Sequence, residues 1–289
     1  MTQRNAIIMA AGTSSRFVPL SVERPKGLVE VKGEILIERQ IRQLKEAGIT
    51  DITLVVGYKA EMFAYLRDKY AVDIVYNEDF ARYNNTSSLI RVIEKLDNTF
   101  ICSSDNYFPE NVFTRESVDS YYSALYAEGK TNEYCLITDA EDQITDVKVG
   151  GHDSWYMVGH VFFNHEFSEN FRKLMIKEYC NETTKQGYWE DLYIRYIDQL
   201  PKMKINRYQE GDIQEFDSLD ELRMFDESYK NDTRSSIVKQ ICKQLEVEEA
   251  CVHAFRNIKH KGNYLQFQFK VYDDVYEYNA ENGIEIKKI

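Results

Sequence analysis

The sequence predicts an α/β fold in which a mostly parallel sheet is flanked by helices, with a small α+β module after it. Short apolar segments alternate with amphipathic segments between residues 4 and 103. Strands that alternate with helices imply parallel pairing through right-handed crossovers. After residue 230 a helical segment precedes a strand–turn–strand pattern, which is typical of a separate small module.

The first part of the chain contains seven periodic segments. We predict strands at 4–10, 52–57, 72–76 and 99–103, and helices at 36–47, 59–70 and 86–95. The helix at 36–47 is well marked, because its apolar residues recur at helical spacing and Gly48 follows it. Ligands of such sheets bind at the carboxyl ends of the strands, so the loops after residues 10 and 103 are candidate sites.

The pattern changes near Glu133, where alternating segments begin. We predict strands at 134–138, 144–149, 156–163 and 205–209, and helices at 166–178, 189–199 and 218–229. Ser218 and Glu221 have the spacing of a capping box at the start of the last of these helices. The C-terminal module has a predicted helix at 235–245 and a hairpin, 264–272 with 275–279. We therefore divide the chain into domains 1–229 and 230–289.

The composition excludes several classes of protein. A chain of 289 residues accommodates one large α/β domain and a small appendage. Its net charge of −12 argues against a nucleic-acid or anionic-membrane surface. Five cysteines without CxxC spacing indicate reduced thiols rather than disulfides or a zinc site. With neither a signal peptide nor a run of about 18 apolar residues, we predict a cytoplasmic protein that binds no membrane.

A loop of small residues follows the first predicted strand. It runs from Ala10 to Arg16, and Lys26 lies ten residues further on in a Pro-Lys-Gly sequence. Small side chains let backbone N–H groups approach phosphate oxygens, and the two basic side chains add positive charge. The loop is neither a Walker motif nor a GxGxxG motif, since Ser14 stands where a second glycine would be expected. It indicates a triphosphate cradle or, alternatively, a tight strand-to-helix turn.

This strand–AAG–SR–PK pattern resembles the nucleotidyltransferases with a Rossmann-like α/β fold. Further segments are similar to those of one branch, the bacterial CTP:phosphocholine cytidylyltransferases, and the resemblance covers roughly residues 4–229. The segments are Val56-Gly57-Tyr58-Lys59, Tyr83-Asn84-Asn85-Thr86-Ser87-Ser88-Leu89, Ser104-Asp105-Asn106-Tyr107, Thr131-Asn132-Glu133-Tyr134 and Glu215-Phe216-Asp217-Ser218.

The resemblance implies that CTP condenses with phosphocholine to give CDP-choline and pyrophosphate, with Mg²⁺ as cofactor. It implies catalytic roles for Arg16, Lys26 and Asp105, and metal binding by Asp105 and Asp217. Two carboxylates at a sheet edge suit this hard cation, which prefers oxygen ligands and bridges substrate phosphates. The structural alternatives are that Asp105 is a turn residue and that Asp217 caps the helix after it.

Nucleotide binding is implied for the loop and for the segment 84–88, where backbone groups and short polar side chains match the edge of cytosine. The predicted residues are Ala10, Ala11, Gly12, Thr13, Ser14, Ser15, Arg16, Lys26, Asn84, Asn85, Ser87 and Ser88. The alternative for 84–88 is a turn followed by a helix cap.

The second half of the chain is rich in aromatic residues with acids among them. A quaternary ammonium is held by aromatic faces and helped by a nearby carboxylate. The predicted acceptor-binding residues are Asn106, Tyr134, His160, Tyr188, Trp189, Glu190 and Asp191. The alternatives are that the aromatic residues belong to the core and that His160, which lies within a strand, is structural.

Other functions remain open at this stage. The same chemistry on 2-aminoethylphosphonate or phosphoethanolamine is the first alternative, a sugar-1-phosphate nucleotidyltransferase the second and a silent binding module the third. The implied partners are CTP and a small phosphorylated or phosphonate amino-alcohol-type acceptor, and a homodimer or a fused kinase stays open. Residues 230–289 weakly resemble the start of a choline-kinase-like enzyme, or they form a packing module.

Overall fold

The computed structural model describes residues 3–114, 118–258, 266–280 and 285–289. The chain forms two compact units, and each unit is built from two separate stretches of the sequence. The first contains Met1–Gly12 and Ile37–Gln214, and the second contains Thr13–Leu36 and Glu215–Ile289. The predicted domain boundary between residues 229 and 230 stays a prediction.

The strands and helices are bounded as follows. The strands are β1 (Arg4–Ala10), β2 (Glu30–Val31), β3 (Glu34–Ile35), β4 (Asp51–Val56), β5 (Asp73–Tyr76), β6 (Asn98–Ser103), β7 (Tyr121–Thr138), β8 (Ile144–Phe163), β9 (Lys204–Arg207), β10 (Val252–Asn257), β11 (Gln266–Val271), β12 (Asp274–Asn279) and β13 (Glu285–Lys288). The helices are α1 (Leu20–Glu23), α2 (Leu36–Glu46), α3 (Tyr65–Tyr70), α4 (Thr86–Leu89), α5 (His165–Glu178), α6 (Glu182–Gln186), α7 (Trp189–Arg195), α8 (Leu219–Phe225) and α9 (Ser236–Leu245).

The first unit is built on a seven-stranded sheet in the order β5-β4-β1-β6-β8-β7-β9. The neighbours β5, β4, β1 and β6 run parallel, β8 is antiparallel to both β6 and β7, and β9 runs parallel to β7. The inner parallel strands β1, β4 and β6 consist mainly of buried residues, as expected when helices cover both faces, whereas β5 at the edge has no buried residue. The predicted α/β fold with a mostly parallel sheet is confirmed.

Strands β1 and β6 bring two predicted loops to the same edge of this sheet. Met9 is paired with Ser103, and the Ser104 amide donates to the Met9 carbonyl at 3.1 Å. The loop that begins at Ala11 and the turn that contains Asp105 therefore leave adjacent strands at their carboxyl ends.

The prediction of three separate strands between residues 134 and 163 is wrong. They belong to two long strands, β7 and β8, and β7 already begins at Tyr121. Gly129 and Gly150 adopt positive φ angles of 74° and 82° within these strands, a conformation that glycine allows. The register between the strands shifts, and Cys135 pairs with both Lys148 and Tyr156.

Three predicted helices are interrupted. The segment 218–229 contains α8 and then a 3₁₀ turn, Glu227–Tyr229, with Asp226 in an extended conformation between them. The segment 59–70 contains a 3₁₀ turn, Ala60–Phe63, before α3, and the segment 86–95 contains α4 and then a 3₁₀ segment, Ile90–Lys95. Val92 leaves helical geometry at φ −126° and ψ 17°, which breaks the helical ladder there. Apolar spacing alone does not distinguish a regular helix from such a chain of short turns.

The second unit joins the hairpin of β2 and β3 to α8, α9 and an antiparallel sheet of order β10-β11-β12-β13. The predicted hairpin is confirmed at Val271 and Asp274, which face each other across the turn. Tyr264, where it was predicted to begin, lies outside the described residues, and β10 and β13 were not predicted. None of the helices in the described part of the chain is long and apolar enough to cross a membrane.

Candidate active site

The loop after β1 leaves open space beside its glycine. Apart from Gly12 itself and its two neighbours in the chain, no described residue has a heavy atom within 4 Å of the position that a Gly12 Cβ would occupy. Ser14 has left-handed backbone angles, φ 48° and ψ 46°, which a glycine adopts more easily than a serine. The left-handed turn expected of a second glycine is therefore made by a serine.

A cluster of opposite charges lies in the second unit. Arg16 Nη1 is 2.6 Å from Asp217 Oδ2, and Lys26 Nζ is 3.6 Å from Asp217 Oδ1 and 3.8 Å from Glu215 Oε1. The Lys26 side chain is 5% exposed, whereas that of Arg16 is 76% exposed. The structure thus brings together both predicted phosphate-binding cations and one predicted metal ligand.

Local structure holds Asp217 at the start of α8. Ser218 is the N-cap, and its side chain accepts a hydrogen bond from the Glu221 amide. Glu221 Oε2 in turn accepts a hydrogen bond from the Asp217 amide at 2.8 Å. Asp217 is therefore not the helix cap, which removes the structural alternative for its carboxylate.

Asp105 and Asn106 occupy the turn after β6 in the first unit. Asp105 is half-buried, and Asn106 is 1% exposed. Neither Oδ1 nor Nδ2 of Asn106 has a hydrogen-bond partner among the described residues. A Cβ on Gly159 would lie 2.9 Å from Asn106 Oδ1, so the amide is tightly enclosed. A buried amide without a partner is costly, and a bound polar group or water would satisfy it.

The two acids have the chemistry of Mg²⁺ ligands. Asp105 follows a parallel strand in one unit, and Asp217 lies beside Arg16 and Lys26 in the other. The described residues contain no group of three His, Cys, Asp or Glu side chains that could hold a metal ion. Mg²⁺ is commonly bound by only one or two carboxylates together with waters and substrate phosphates, so the chemistry of each acid suits this ion, and metal binding by the two acids stays a prediction.

The segment 84–88 is hydrogen-bonded within the first unit. Asn77 Nδ2 donates to Ser87 Oγ and Ser88 Oγ, both at 2.9 Å. Asn85 Oδ1 accepts from the Trp189 amide at 2.8 Å. These bonds support the interpretation of the segment as a turn and helix start, and cytosine binding by its side chains stays a prediction.

Acidic and phenolic side chains meet at the start of α7. Glu190 accepts hydrogen bonds from Tyr122 and Asn85, both at 3.1 Å, and Tyr134 donates to Asp191 Oδ1 at 3.0 Å. Burial raises the pKa of Glu190 to about 7, although these two hydrogen bonds oppose the shift. Burial and the Asp191 carboxylate raise the pKa of Tyr134 to about 12. The Asp191 carboxylate, together with Glu190 in its ionised form, can attract a cation in this position.

Among the aromatic residues predicted to bind the acceptor, only some are accessible. Tyr188 is exposed, whereas Trp189 is 2% exposed and packs against Tyr122, Phe163 and Phe171. The cavity of about 30 Å³ that Trp189 and Glu190 help to line has room for about one water molecule. Trp189 therefore belongs mainly to the core.

His160 is fully buried within a shell of aromatic rings. Its ring stacks on Phe100 at 5.8 Å, and its Nδ1 lies 2.9 Å from Ser123 Oγ. This environment supports the structural alternative, so we leave His160 out of the proposed acceptor site.

Sequence patterns did not indicate three of the contacts at these sites. Tyr122 bonds Glu190, Glu215 approaches Lys26, and Asn85 connects the segment 84–88 to α7. Glu215 lies within a quoted motif, which was the available signal for it. Asn85 also lies within a quoted motif, although its partner is 105 residues away. Tyr122 carried no signal, because its partner is 68 residues away.

The chain is similar in sequence to known proteins. Residues 6–139 match the MobA-like NTP transferase domain. The chain is 35% identical over 227 residues to choline-phosphate cytidylyltransferase of Streptococcus pneumoniae, covering 78% of this chain and 99% of that one. It is 34% identical over 229 residues to 2-aminoethylphosphonate cytidylyltransferase of Lancefieldella rimae, covering 78% of this chain and 93% of that one.

Solved structures of nucleotidyltransferases are also similar to this chain. The CTP:phosphocholine cytidylyltransferase of Streptococcus pneumoniae superimposes with a TM-score of 0.75 at 35% identity, covering 79% of this chain and all of that one. The inositol-1-phosphate CTP transferase of T. maritima, at 16% identity and a TM-score of 0.59, shares the fold and covers 85% of this chain and 97% of that one. The chain belongs to the bacterial CTP:phosphocholine cytidylyltransferase family of nucleotidyltransferase enzymes.

Proposed function

We propose that this enzyme transfers the cytidylyl group of CTP to phosphocholine, forming CDP-choline and pyrophosphate. The observation that carries the proposal is that the chain contains two clusters of charged side chains, each of a kind that the reaction requires. Arg16 and Lys26 provide positive charge for a triphosphate, and Glu190 and Asp191 provide negative charge for a cationic acceptor. The identity to relatives with this kind of activity supports it.

In the reaction, an oxygen of the acceptor phosphate attacks the α-phosphorus of CTP, and the bond to the bridging oxygen of pyrophosphate breaks. The phosphate monoester is already ionised near neutral pH, so no strong general base is required. Catalysis then depends on positioning and charge neutralisation. Because Arg16 and Lys26 are paired with carboxylates, they would exchange Asp217 for phosphate oxygens when CTP binds.

Asp105 and Asp217 each have a carboxylate of the kind that holds Mg²⁺, and this ion would supply charge neutralisation at the phosphates when it is bound. Asn106, whose buried amide has no hydrogen-bond partner in the described part of the chain, would donate to the acceptor or to a water beside it. The free cysteines are consistent with a reducing compartment, and we propose a cytoplasmic location.

A primary-amine acceptor, 2-aminoethylphosphonate, is the second candidate. The first unit offers carboxylates and tyrosine hydroxyls near α7, while Trp189 is buried and the Trp155 ring faces Arg207 at 5.4 Å. Hydrogen-bond acceptors suit an ammonium group that carries protons, whereas a trimethylammonium group needs open aromatic faces.

The test is pyrophosphate release with CTP and Mg²⁺ across phosphocholine, phosphoethanolamine, 2-aminoethylphosphonate and glucose 1-phosphate. We expect the highest kcat/KM with phosphocholine and lower values with UTP or ATP in place of CTP. A higher kcat/KM with 2-aminoethylphosphonate would establish the second candidate. Release with none of the acceptors would contradict both.

A further inference from the structure

The segment Thr13–Leu36, which carries Arg16 and Lys26, is embedded in the second unit together with the C-terminal part of the chain. Phe17, Leu20 and Val31 of this segment are almost fully buried. The segment therefore depends for its position on residues that follow it by about 200 positions.

Glu23 makes the first contact with residues 230–289. It ends α1, three residues before Lys26, and its Oε1 accepts a hydrogen bond from the Ser236 amide at 2.8 Å and another from the Ser236 hydroxyl. Ser236 begins α9, so the carboxylate lies at the helix end that attracts negative charge. The contact connects the C-terminal module to the turn before Lys26.

Glu30 makes the second contact. Arg234 lies 3.5 Å from the Glu30 carboxylate and over the Tyr229 ring at 4.3 Å, and the Tyr229 hydroxyl donates to the Glu30 carbonyl at 2.6 Å. Strand β10 also contacts the short 3₁₀ turn Ser15–Phe17, which contains Arg16. The two cationic residues thus lie on a segment that the C-terminal module contacts on both sides of Lys26.

We propose that residues 230–289 position the segment Thr13–Leu36 for CTP, with Glu23 and Ser236 as positioning residues. This role rests on the proposed function, because it assumes that Arg16 and Lys26 bind the triphosphate. The alignments with the two cytidylyltransferase relatives, over 227 and 229 residues, cover 99% and 93% of those proteins but 78% of this chain. This chain therefore carries sequence that the two relatives do not match. Holding the cations in place before CTP arrives lowers the ordering cost of binding.

The test uses the full chain with Glu23→Ala, Ser236→Ala and the double variant. Glu23→Gln is the conservative variant, because its amide oxygen still accepts hydrogen bonds. Lys288→Ala is the matched control, because it removes an ion pair with Asp274 inside the C-terminal sheet. The readouts are hydrogen exchange of residues 13–36 without nucleotide, and KM for CTP and kcat from pyrophosphate release.

We expect Glu23→Ala to raise the exchange rate of residues 13–36 and to raise KM for CTP about tenfold, with a smaller change in kcat. Ser236→Ala should have a smaller effect, because the backbone amide of residue 236 still donates to Glu23, whereas Glu23→Ala removes both hydrogen bonds. The two effects should not add, since Glu23→Ala already removes the bond from the Ser236 hydroxyl. Glu23→Gln should restore most of the affinity, and Lys288→Ala should change neither readout.

Unchanged exchange and an unchanged KM in folded Glu23→Ala would overturn the proposal, as would an equal effect of Lys288→Ala. If the wild-type chain released no pyrophosphate, the proposed function would fail. Hydrogen exchange would then still test whether the C-terminal module holds the segment.

Discussion

Lys26 combines a buried stem with a charged end beside two carboxylates. Lys26→Ala should lower kcat/KM by roughly 10²–10³-fold, the scale of losing one electrostatic stabiliser of the transition state. The reason is that the positive charge that offsets the triphosphate is lost. Steady-state pyrophosphate release with varied CTP measures the effect.

Lys26→Met is the matched variant for this prediction. It keeps a long apolar side chain in the buried position, where Lys26 is 5% exposed, and removes only the charge. Both variants should lose a similar factor in kcat/KM. Near-normal activity of Lys26→Met would show that the charge at this position is not needed.

Asn106 should behave differently from an ordinary buried residue. Because its amide has no hydrogen-bond partner among the described residues, Asn106→Ala should change the free energy of unfolding by less than about 1 kcal/mol. Its kcat/KM should nevertheless fall about tenfold or more, since the amide would pair with bound substrate. Chemical denaturation and pyrophosphate release on the same variant separate the two effects. A large loss of stability with normal activity would argue for a purely structural amide.

Among the elements, helix α8 depends on its N-cap. Ser218→Ala removes the hydrogen bond that the Glu221 amide donates to the Ser218 hydroxyl, and it should lower the free energy of unfolding by about 1 kcal/mol. Ser218→Asn, which retains a capping oxygen, should stay near the wild-type value. Urea denaturation of the three proteins measures this. Equal stability of all three would mean that the cap contributes nothing to the fold.

The paired strands β7 and β8 show where element prediction fails. The apolar alternation of residues 134–138 and 144–149 predicts strands correctly, but the exposed stretch before residue 134 carries no such alternation. Gly129 and Gly150 have positive φ angles within these strands, and the register between the strands shifts several times, so the pairing joins residues whose local patterns differ. Such strand pairing is decided by the tertiary structure and not by the local sequence.

For the molecule as a whole, Glu190 should make stability depend on pH. Burial raises its pKa in the folded protein to about 7 from an ordinary value of 4.5, so the folded state binds more protons than the unfolded state between these values. This contribution is fully present below pH 4.5 and is lost as pH rises through 7. The loss amounts to at most about 3 kcal/mol.

Glu190→Gln isolates this contribution, since glutamine stays neutral. Relative to the wild type, the variant should gain stability from pH 4.5 to pH 8, measured as the difference in free energy of unfolding at each pH. A difference that stays constant over this range would show that Glu190 ionises normally.

Much of the candidate site follows from local sequence. The loop 10–16 and Lys26 are recognisable because phosphate binding requires small residues and positive charge close together, and Asp105 is recognisable because it ends a parallel strand. Local sequence could not decide whether Trp189 and His160 bind the acceptor or belong to the core. An aromatic residue in a core and one in a binding site have the same local pattern, and only burial distinguishes them.

The sequence by itself determined the α/β class, the parallel strands of the first unit and the family, because apolar periodicity and short motifs depend on neighbouring residues. Only the tertiary structure decided that Thr13–Leu36 joins Glu215–Ile289, that Arg16 pairs with Asp217 and that Glu190 bonds Tyr122. These contacts join residues that are 68 to 201 positions apart, and no local pattern encodes which distant groups will share a buried space.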